Sequence, residues 1–265
     1  MIPSDLPVQA ALDAWAKSAI APDVFMRALV THVWEVPVSD EAAREAFASH
    51  TMPRLPVSDD NGVKRLAVFS SGEAFRAYHQ AAGDDRGRVL VTHPGTALFS
   101  PASFDIDAVH IDPGSAHAVA FSREQVKLLA IIGQAVAVER ALVHLKAGQG
   151  AIEGLVADLR TIAAYPAFML ALRDAGGRPV LALAPNDAGR NLATVFTAQD
   201  AAVRYAHRAR ESGIEISTMP MSGVELCQQL KGMPLDGLVF NCLGPGGLVA
   251  FAPGLTSAVL DAAGA

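Results

Sequence analysis

The chain has 265 residues, of which 51% are hydrophobic and 18% charged, and its formal net charge is −6 at pH 7. This composition is typical of an ordered globular protein and argues against a disordered chain. The acidic balance leaves no basic field for phosphate groups, so we expect no nucleic-acid partner.

The sequence also predicts the cellular location of the protein. The longest apolar run, Leu128–Val138, has 11 residues, whereas a membrane-spanning helix needs about 20. The start of the chain has no basic segment followed by an apolar stretch and a small-residue cleavage site. The two cysteines, Cys227 and Cys242, do not form a C-x-x-C pair, and we interpret them as small packed side chains. We therefore expect a cytoplasmic protein without membrane insertion.

The start of the chain predicts helices followed by strands. Val8, Leu12 and Trp15 lie on one face of an opening helix that Pro22 interrupts, and a second short helix covers residues 23–30. Strands are predicted near 33–38, 54–58 and 65–69. The segment Asp59–Gly62 reads Asp-Asp-Asn-Gly, which predicts a tight hairpin turn between the last two strands.

The chain continues this alternation as far as Leu145. Ser70 and Glu73 have the spacing of a capping box and predict a helix over 71–81. A strand is predicted at 88–92, a loop or short helix at 95–104, and two strands at 107–112 and 116–121 that pair around Pro113 and Gly114. Ser122 and Gln125 then begin a long helix through Leu145, whose apolar run is too wide for a surface helix.

The second half of the sequence repeats the first. Phe69 and Tyr78 correspond to Phe196 and Tyr205 at one constant spacing, and the segment 106–109 corresponds to 235–238 at nearly the same spacing. Thr197 and Asp200 repeat the capping-box spacing of the first copy, and a helix carrying Ile152, Leu155, Leu159 and Ile162 takes the place of the opening helix. We therefore predict an α+β or mixed α/β fold made of two pseudo-repeat lobes, residues 1–146 and 147–265, each a mixed β-sheet with packed helices.

These segments resemble the SseB family of bacterial proteins, named for enhanced serine sensitivity. The resemblance is carried by residues 33–38, 55–57, 66–71 and 107–115, and it covers roughly residues 5–132. In that family the turn usually reads Asn-Pro-Gly-Ser, and Asp112 stands where Asn is typical. The resemblance implies a mixed α/β fold and no established catalytic residues. Family members occur alone and beside secretion-related proteins, which favours binding over catalysis.

One cluster of side chains could support chemistry. Strand alternation predicts that His110 and Asp112 share a face, and His117 could return across the turn to complete a metal site or a general base. The second copy has no histidine in the corresponding strand, and we favour a solvated strand face in which Asp112 caps backbone N–H groups. We therefore predict no catalytic residues, no cofactor and no bound metal.

Three functions remain open at this point. The first is a non-enzymatic protein-binding or regulatory protein whose partner is another protein. Its predicted binding surface is the turn Asp112, Pro113, Gly114 and Ser115. The second is a small hydrolase or metal-dependent enzyme that uses His110, Asp112 and His117. The third is a small-ligand sensor that binds between the lobes. We favour the first.

Overall fold

The computed structural model describes residues 6–51, 53–82, 88–100, 105–148, 166–184, 189–230, 233–242 and 249–250. Its contacts divide the chain into a first unit, Met1–Gly133, and a second unit, Gln134–Ala265. The division falls inside a helix, whereas the sequence places the boundary at the linker after residue 146. The predicted helix with Ile152 and Leu155 lies outside the described residues.

The first unit alternates short helices and strands. Its helices are α1 (Val8–Ala16), α2 (Pro22–Thr31), α3 (Asp40–Ser49), α4 (Gly72–Ala82) and α5 (Gly95–Leu98). Its strands are β1 (Val33–Ser39), β2 (Ser58–Asp60), β3 (Val63–Val68), β4 (Arg88–Pro94), β5 (Ala108–Ile111) and β6 (Val119–Ser122). Helix α6 (Arg123–Lys146) then leads into the second unit.

The second unit has the same kind of alternation. Its strands are β7 (Pro166–Asp174), β8 (Pro179–Leu181), β9 (Leu192–Phe196), β10 (Ile216–Ser222), β11 (Gly237–Phe240) and β12 (Val249–Ala250). The described part of this unit also contains the helices α7 (Gln199–Glu211) and α8 (Gly223–Leu230). Helices and mixed sheets together confirm the predicted α+β class.

The strand order is the same in both units. In the first, β1 pairs with β4, and Glu35 of β1 exchanges two backbone hydrogen bonds of 2.9 Å with Phe69, the residue after β3. Strands β3 and β5 are parallel, and β6 is antiparallel to β5. The bridge between Glu35 and Phe69 joins the two sheets in the order β4-β1-β3-β5-β6, and β2 pairs with β3, whereas the extra strand of the second unit, β8, pairs with β7. The second unit has the order β10-β7-β9-β11-β12, with β9 and β11 parallel. This agreement supports the predicted duplication, which stays a prediction.

Each unit has its own apolar core. Trp34, Phe25 and Phe69 are fully buried in the first unit, and Trp15 stacks on Phe25 with ring centroids 4.4 Å apart. In the second unit, Phe168 and Phe240 pack with Val138 and Leu142 of α6. The second half of α6 thus belongs to the second core, which explains why the units divide at Gly133 rather than at the linker.

Helix α6 also has the length and composition of a membrane span. Within the 23 residues Arg123–Leu145, a window of 18 residues has a mean hydropathy of 1.6, and 44% of that window is buried in the protein. Core helices of soluble proteins pass the same test. Val126 and Leu129 in its first half and Val138 and Leu142 in its second half are all buried, as expected of a core helix.

Three local predictions were wrong. Residues 53–57 are irregular, and the strand begins at Ser58, because Pro53 and Pro56 have no N–H to give to a ladder. Helix α3 was not identified from the sequence, although the Ser39 hydroxyl caps it by accepting the Ala42 N–H at 3.2 Å. The third error concerns the predicted capping boxes at Ser70 and Thr197, which are replaced by the contacts described below. By contrast, the predicted Asn61-Gly62 hairpin is present, with φ values of 55° and 82°.

Candidate partner-binding site

The predicted binding turn connects β5 to β6. The Ser115 N–H donates to the Asp112 carbonyl oxygen at 3.1 Å, which closes a β-turn. Gly114 has a φ of 81°, the positive value that the third position of a type II turn requires and that glycine adopts most easily. The Ser115 hydroxyl accepts the His117 N–H at 3.1 Å. The turn is therefore closed on both sides by hydrogen bonds of its own.

Asp112 fixes this turn to the neighbouring parallel strand. Its carboxylate accepts two hydrogen bonds from Ser70, one from the N–H at 2.7 Å and one from the hydroxyl at 2.6 Å. The Asp112 N–H also donates to the Val68 carbonyl oxygen at 3.0 Å. Asp112 is only 3% exposed and has a φ of 45°. Its side chain therefore sets the conformation of the turn and is not itself on the surface.

The helix cap lies one residue after Ser70. Helix α4 begins at Gly72, and the Ser71 hydroxyl accepts the Ala74 N–H at 3.2 Å. Because the Ser70 hydroxyl donates to Asp112, it does not cap the helix as the sequence predicted. The predicted capping box of Ser70 and Glu73 is therefore wrong, and the adjacent Ser71 caps the helix.

Two helices border the turn. From α1, the Asp13 Oδ1 lies 3.1 Å from the His117 Nδ1, and the Gln9 Oε1 lies 3.3 Å from the Ser70 hydroxyl. From α4, the Tyr78 ring is 3.4 Å from the position that a Cβ on Gly114 would occupy. Pro113 is half-buried, whereas Gly114, Ser115 and Ala116 are exposed. The accessible part of the predicted site is therefore Gly114 and Ser115, and with the adjacent exposed Ala116 they form the tip of the turn, residues 114–116.

The structure does not bring His110, Asp112 and His117 together as one site. Both Asp112 oxygens are used by Ser70, His117 lies against Asp13, and His110 is half-buried within β5. Asp112 also leaves the strand alternation because its φ is positive. Among the described residues, no three His, Cys, Asp or Glu side chains are placed to hold a metal ion. The geometry gives the hydrolase alternative no support.

The second unit has a corresponding contact in which the hydrogen bond to the hydroxyl runs in the opposite direction. Asn241, which follows β11, is 7% exposed with a φ of 49°. Its Oδ1 accepts the Thr197 N–H at 3.1 Å, and its Nδ2 donates to the Thr197 hydroxyl at 2.9 Å. Because that hydroxyl accepts from the amide, it is free to donate to Glu139 of α6 at 2.6 Å. In the first unit the corresponding Ser70 hydroxyl donates its hydrogen bond to the Asp112 carboxylate instead.

A second pair of contacts lies at the other end of the parallel strands. The Lys64 N–H donates to the Asp107 Oδ2 at 2.9 Å, and the Asp107 N–H donates back to the Lys64 carbonyl at 2.8 Å. Asn191 and Asp236 make the same reciprocal pair at 2.6 and 2.8 Å. The bond from the Lys64 N–H, assisted by Arg123, holds the pKa of Asp107 below its ordinary value. Each parallel strand pair is therefore closed at both ends.

The sequence alignment related the acidic and amide residues of these contacts between the two copies, but it did not identify the residues that they bind. It aligned the segments containing Asp107 and Asp236, and the spacing of that alignment also relates Asp112 to Asn241. Ser70 and Thr197, which correspond in the same way, were interpreted as helix caps instead. The missed signal was that small polar residues occupy matching positions after two neighbouring parallel strands in both copies.

Two titratable groups beside these contacts are affected by burial. His32 Nε2 lies 3.2 Å from the Ser70 carbonyl oxygen, and burial lowers the pKa of His32 despite that contact. Burial raises the pKa of Cys242, which follows Asn241, to about 11. A thiol with that pKa stays protonated at neutral pH, so Cys242 has no thiolate for nucleophilic chemistry.

Part of the first unit matches the model of a known protein family. Residues 8–128 match the SseB protein N-terminal domain. The resemblance of these residues to the SseB family is therefore confirmed, and the match ends within α6, shortly before the first unit ends at Gly133. No curated protein matches the sequence.

One solved structure is similar over most of its length. Anabaena Tic22, a protein-transport protein, is 9% identical in sequence, and the match covers 86% of this chain and 88% of Tic22. The TM-score is 0.20. At that score the likeness carries no argument about fold or function.

Proposed function

We propose that this chain, whose residues 8–128 match the SseB protein N-terminal domain, is a non-enzymatic protein-binding or regulatory protein. The turn Asp112, Pro113, Gly114 and Ser115 forms part of the surface that contacts its partner. The observation that carries the proposal is the contrast within this turn. Asp112 is buried and hydrogen-bonded, while the tip of the same turn is exposed.

A rigid exposed tip is well suited to binding. Ordering a loop on association costs free energy, and a loop already held in one conformation avoids that cost. Here the two bonds from Ser70 to Asp112, the Ser115 N–H bond and the positive φ of Gly114 hold the tip before any partner arrives.

We further propose that the partner is another protein and that binding takes place in the cytoplasm. The net charge of −6 does not favour nucleic acid. Buried residues in both halves of α6 are consistent with a helix that stays within the protein rather than entering a bilayer.

The experiment compares two alanine-to-arginine variants. Ala116 is exposed at the tip of the turn, and Ala48 is exposed on α3. Both changes add one positive charge and a long side chain at an exposed position. The wild-type protein and each variant are used as bait in a native cell extract, and captured proteins are quantified by mass spectrometry.

We expect Ala116→Arg to reduce capture of a specific protein at least tenfold, because the added side chain blocks the tip, whereas Ala48→Arg should capture as much as wild type. Ser115→Ala removes one hydroxyl and should change stability by less than about 1 kcal/mol, so any loss of capture with it reflects the surface. If Ala116→Arg, Ser115→Ala and Asp112→Asn all leave capture unchanged, the turn only joins two strands.

A further inference from the structure

The two units differ at one edge of their sheets. Strand β4 is the outermost strand of the first unit, and its only partner among the described strands is β1. Arg88, Val89 and Thr92 are exposed, with Val89 39% exposed. Between Arg88 and Pro94 the strand reads Val-Leu-Val-Thr-His, without proline or acidic residues. Edges of this kind are open to pairing with another strand.

The register determines which backbone groups face outward. Glu35 gives its N–H and C=O to Phe69, so they point away from β4. Thr92 lies opposite Glu35, and in an antiparallel ladder both members of such a pair point away from each other. Thr92, and by alternation Leu90 and Arg88, therefore present N–H and C=O groups to the outside. Within the described residues these outward groups have no hydrogen-bond partner.

The corresponding edge of the second unit is blocked. Ala171 accepts the Ala182 N–H on the inner side of β7, so its partner Thr218 in β10 faces outward. Pro220, two residues further along, also faces outward and has no N–H to donate. The ladder is irregular between Met221 and Ser222. Proline and a register shift are common devices that protect an edge strand, and Pro220 stands at the place that Thr92 occupies in β4.

We infer that the free edge of β4 pairs with β4 of a second copy of this chain, in an antiparallel two-fold arrangement centred on Leu90. In this register Arg88 lies opposite Thr92 of the second copy, Val89 opposite Val91, and Leu90 opposite Leu90. The single charge of each strand meets a neutral hydroxyl, so no like charges oppose each other. Three hydrogen-bonded pairs exchange about two bonds each and satisfy all outward groups of both strands.

The side chains favour the same pairing. Val89 lies opposite the buried Val38 of β1, on the core face of the sheet. Val91 of the second copy would extend that face and cover the exposed part of Val89. A second copy therefore buries apolar surface and pairs backbone groups in one step, and two-fold dimers are the commonest oligomers.

The test uses the full-length protein in sedimentation equilibrium over a concentration series. The chain mass is 27.6 kDa, and we expect wild type to approach twice that mass at roughly 100 μM, since small interfaces associate weakly. Thr92→Pro removes an outward N–H and no hydrogen bond to β1, so it should stay monomeric with an unchanged circular dichroism spectrum. Thr92→Val keeps the N–H and should dimerise like wild type.

A second readout does not depend on the proline variant folding. In a background with Cys227→Ala and Cys242→Ala, Leu90→Cys should form a disulfide-linked dimer under mild oxidation, because opposed residues at the centre lie about 5.5 Å apart between Cα atoms. Val63→Cys, at an exposed residue of β3, should not. A monomeric wild type, a dimeric folded Thr92→Pro, or equal cross-linking of the two cysteine variants would each overturn the inference.

Discussion

Replacing Asp112 by alanine should destabilise the first unit strongly. The change removes the acceptor of two hydrogen bonds from Ser70, both in a site where Asp112 is 3% exposed. Hydrogen bonds to a charged group contribute about 1.5–3 kcal/mol each, and buried donors left unpaired retain their desolvation cost. Alanine at a φ of 45° adds about 1 kcal/mol of backbone strain. Because these losses are not additive, we expect the free energy of unfolding to fall by about 3–5 kcal/mol.

Asp112→Asn should destabilise the first unit much less than Asp112→Ala. Asparagine tolerates a positive φ, and Asn241 shows how its amide can pair with a serine or threonine at this place. The Ser70 N–H would donate to the amide oxygen, and the Ser70 hydroxyl would accept from the amide and turn its proton towards Gln9, 3.3 Å away. We therefore expect a loss of about 1 kcal/mol or less.

The assay follows tryptophan fluorescence during urea unfolding. Both tryptophans, Trp15 and Trp34, belong to the first unit, so the signal reports on that unit. Asn241→Ala, at the matching position of the second unit, serves as the control and should shift the tryptophan midpoint less than Asp112→Ala. If Asp112→Asn costs as much as Asp112→Ala, the asparagine does not replace the carboxylate as Asn241 suggests, and the reasoning is refuted.

Three further predictions concern packing, pH and metal. Gly95→Ala should lower the free energy of unfolding by about 3 kcal/mol, since its Cβ would lie 2.6 Å from the Leu29 carbonyl oxygen. Gly72→Ala should cost less in the same urea titration, because its Cβ would meet only side-chain atoms, the nearest being Glu35 Oε2 at 3.2 Å. Burial lowers the pKa of His93 below its ordinary value of 6.5, so the unfolded state binds a proton on His93 before the folded state does as the pH falls. The contribution of His93 to the free energy of unfolding is therefore complete above about pH 6.5 and declines below it. His93→Leu should flatten that decline, and an unchanged slope of unfolding free energy against pH would contradict the prediction. Protein purified without affinity metal should contain no stoichiometric zinc or iron by elemental analysis, and metal lost on His110→Ala would reverse the prediction.

The elements that depend on local chemistry could be predicted from the sequence. Asn61 and Gly62 both adopt positive φ in a two-residue hairpin, as their residue types require. The Ser122 N–H donates to the Gln125 side chain at 2.9 Å, as the capping spacing indicated. Pro113 and Gly114 turn the chain between β5 and β6 at the predicted place.

The features that depend on distant residues could not be predicted. Ser70 and Asp112 are 42 residues apart, and nothing in the local spacing of either one shows that the hydroxyl prefers a carboxylate across the sheet to the helix end. The position at which contacts divide the chain, after Gly133, depends on distant residues in the same way. The sequence marks where α6 ends, but the packing of Val138 and Leu142 against Phe168 decides to which unit its second half belongs.

Site-specific photo-cross-linking in living cells tests the proposed function most directly. A benzophenone amino acid replaces Ala116 at the exposed tip, and the same amino acid replaces Ala48 in the control, both in the full chain. The account predicts a discrete covalent adduct with one other protein from position 116 that does not form from position 48. No adduct from position 116, or the same adducts from both positions, would contradict the claim that this turn binds a partner.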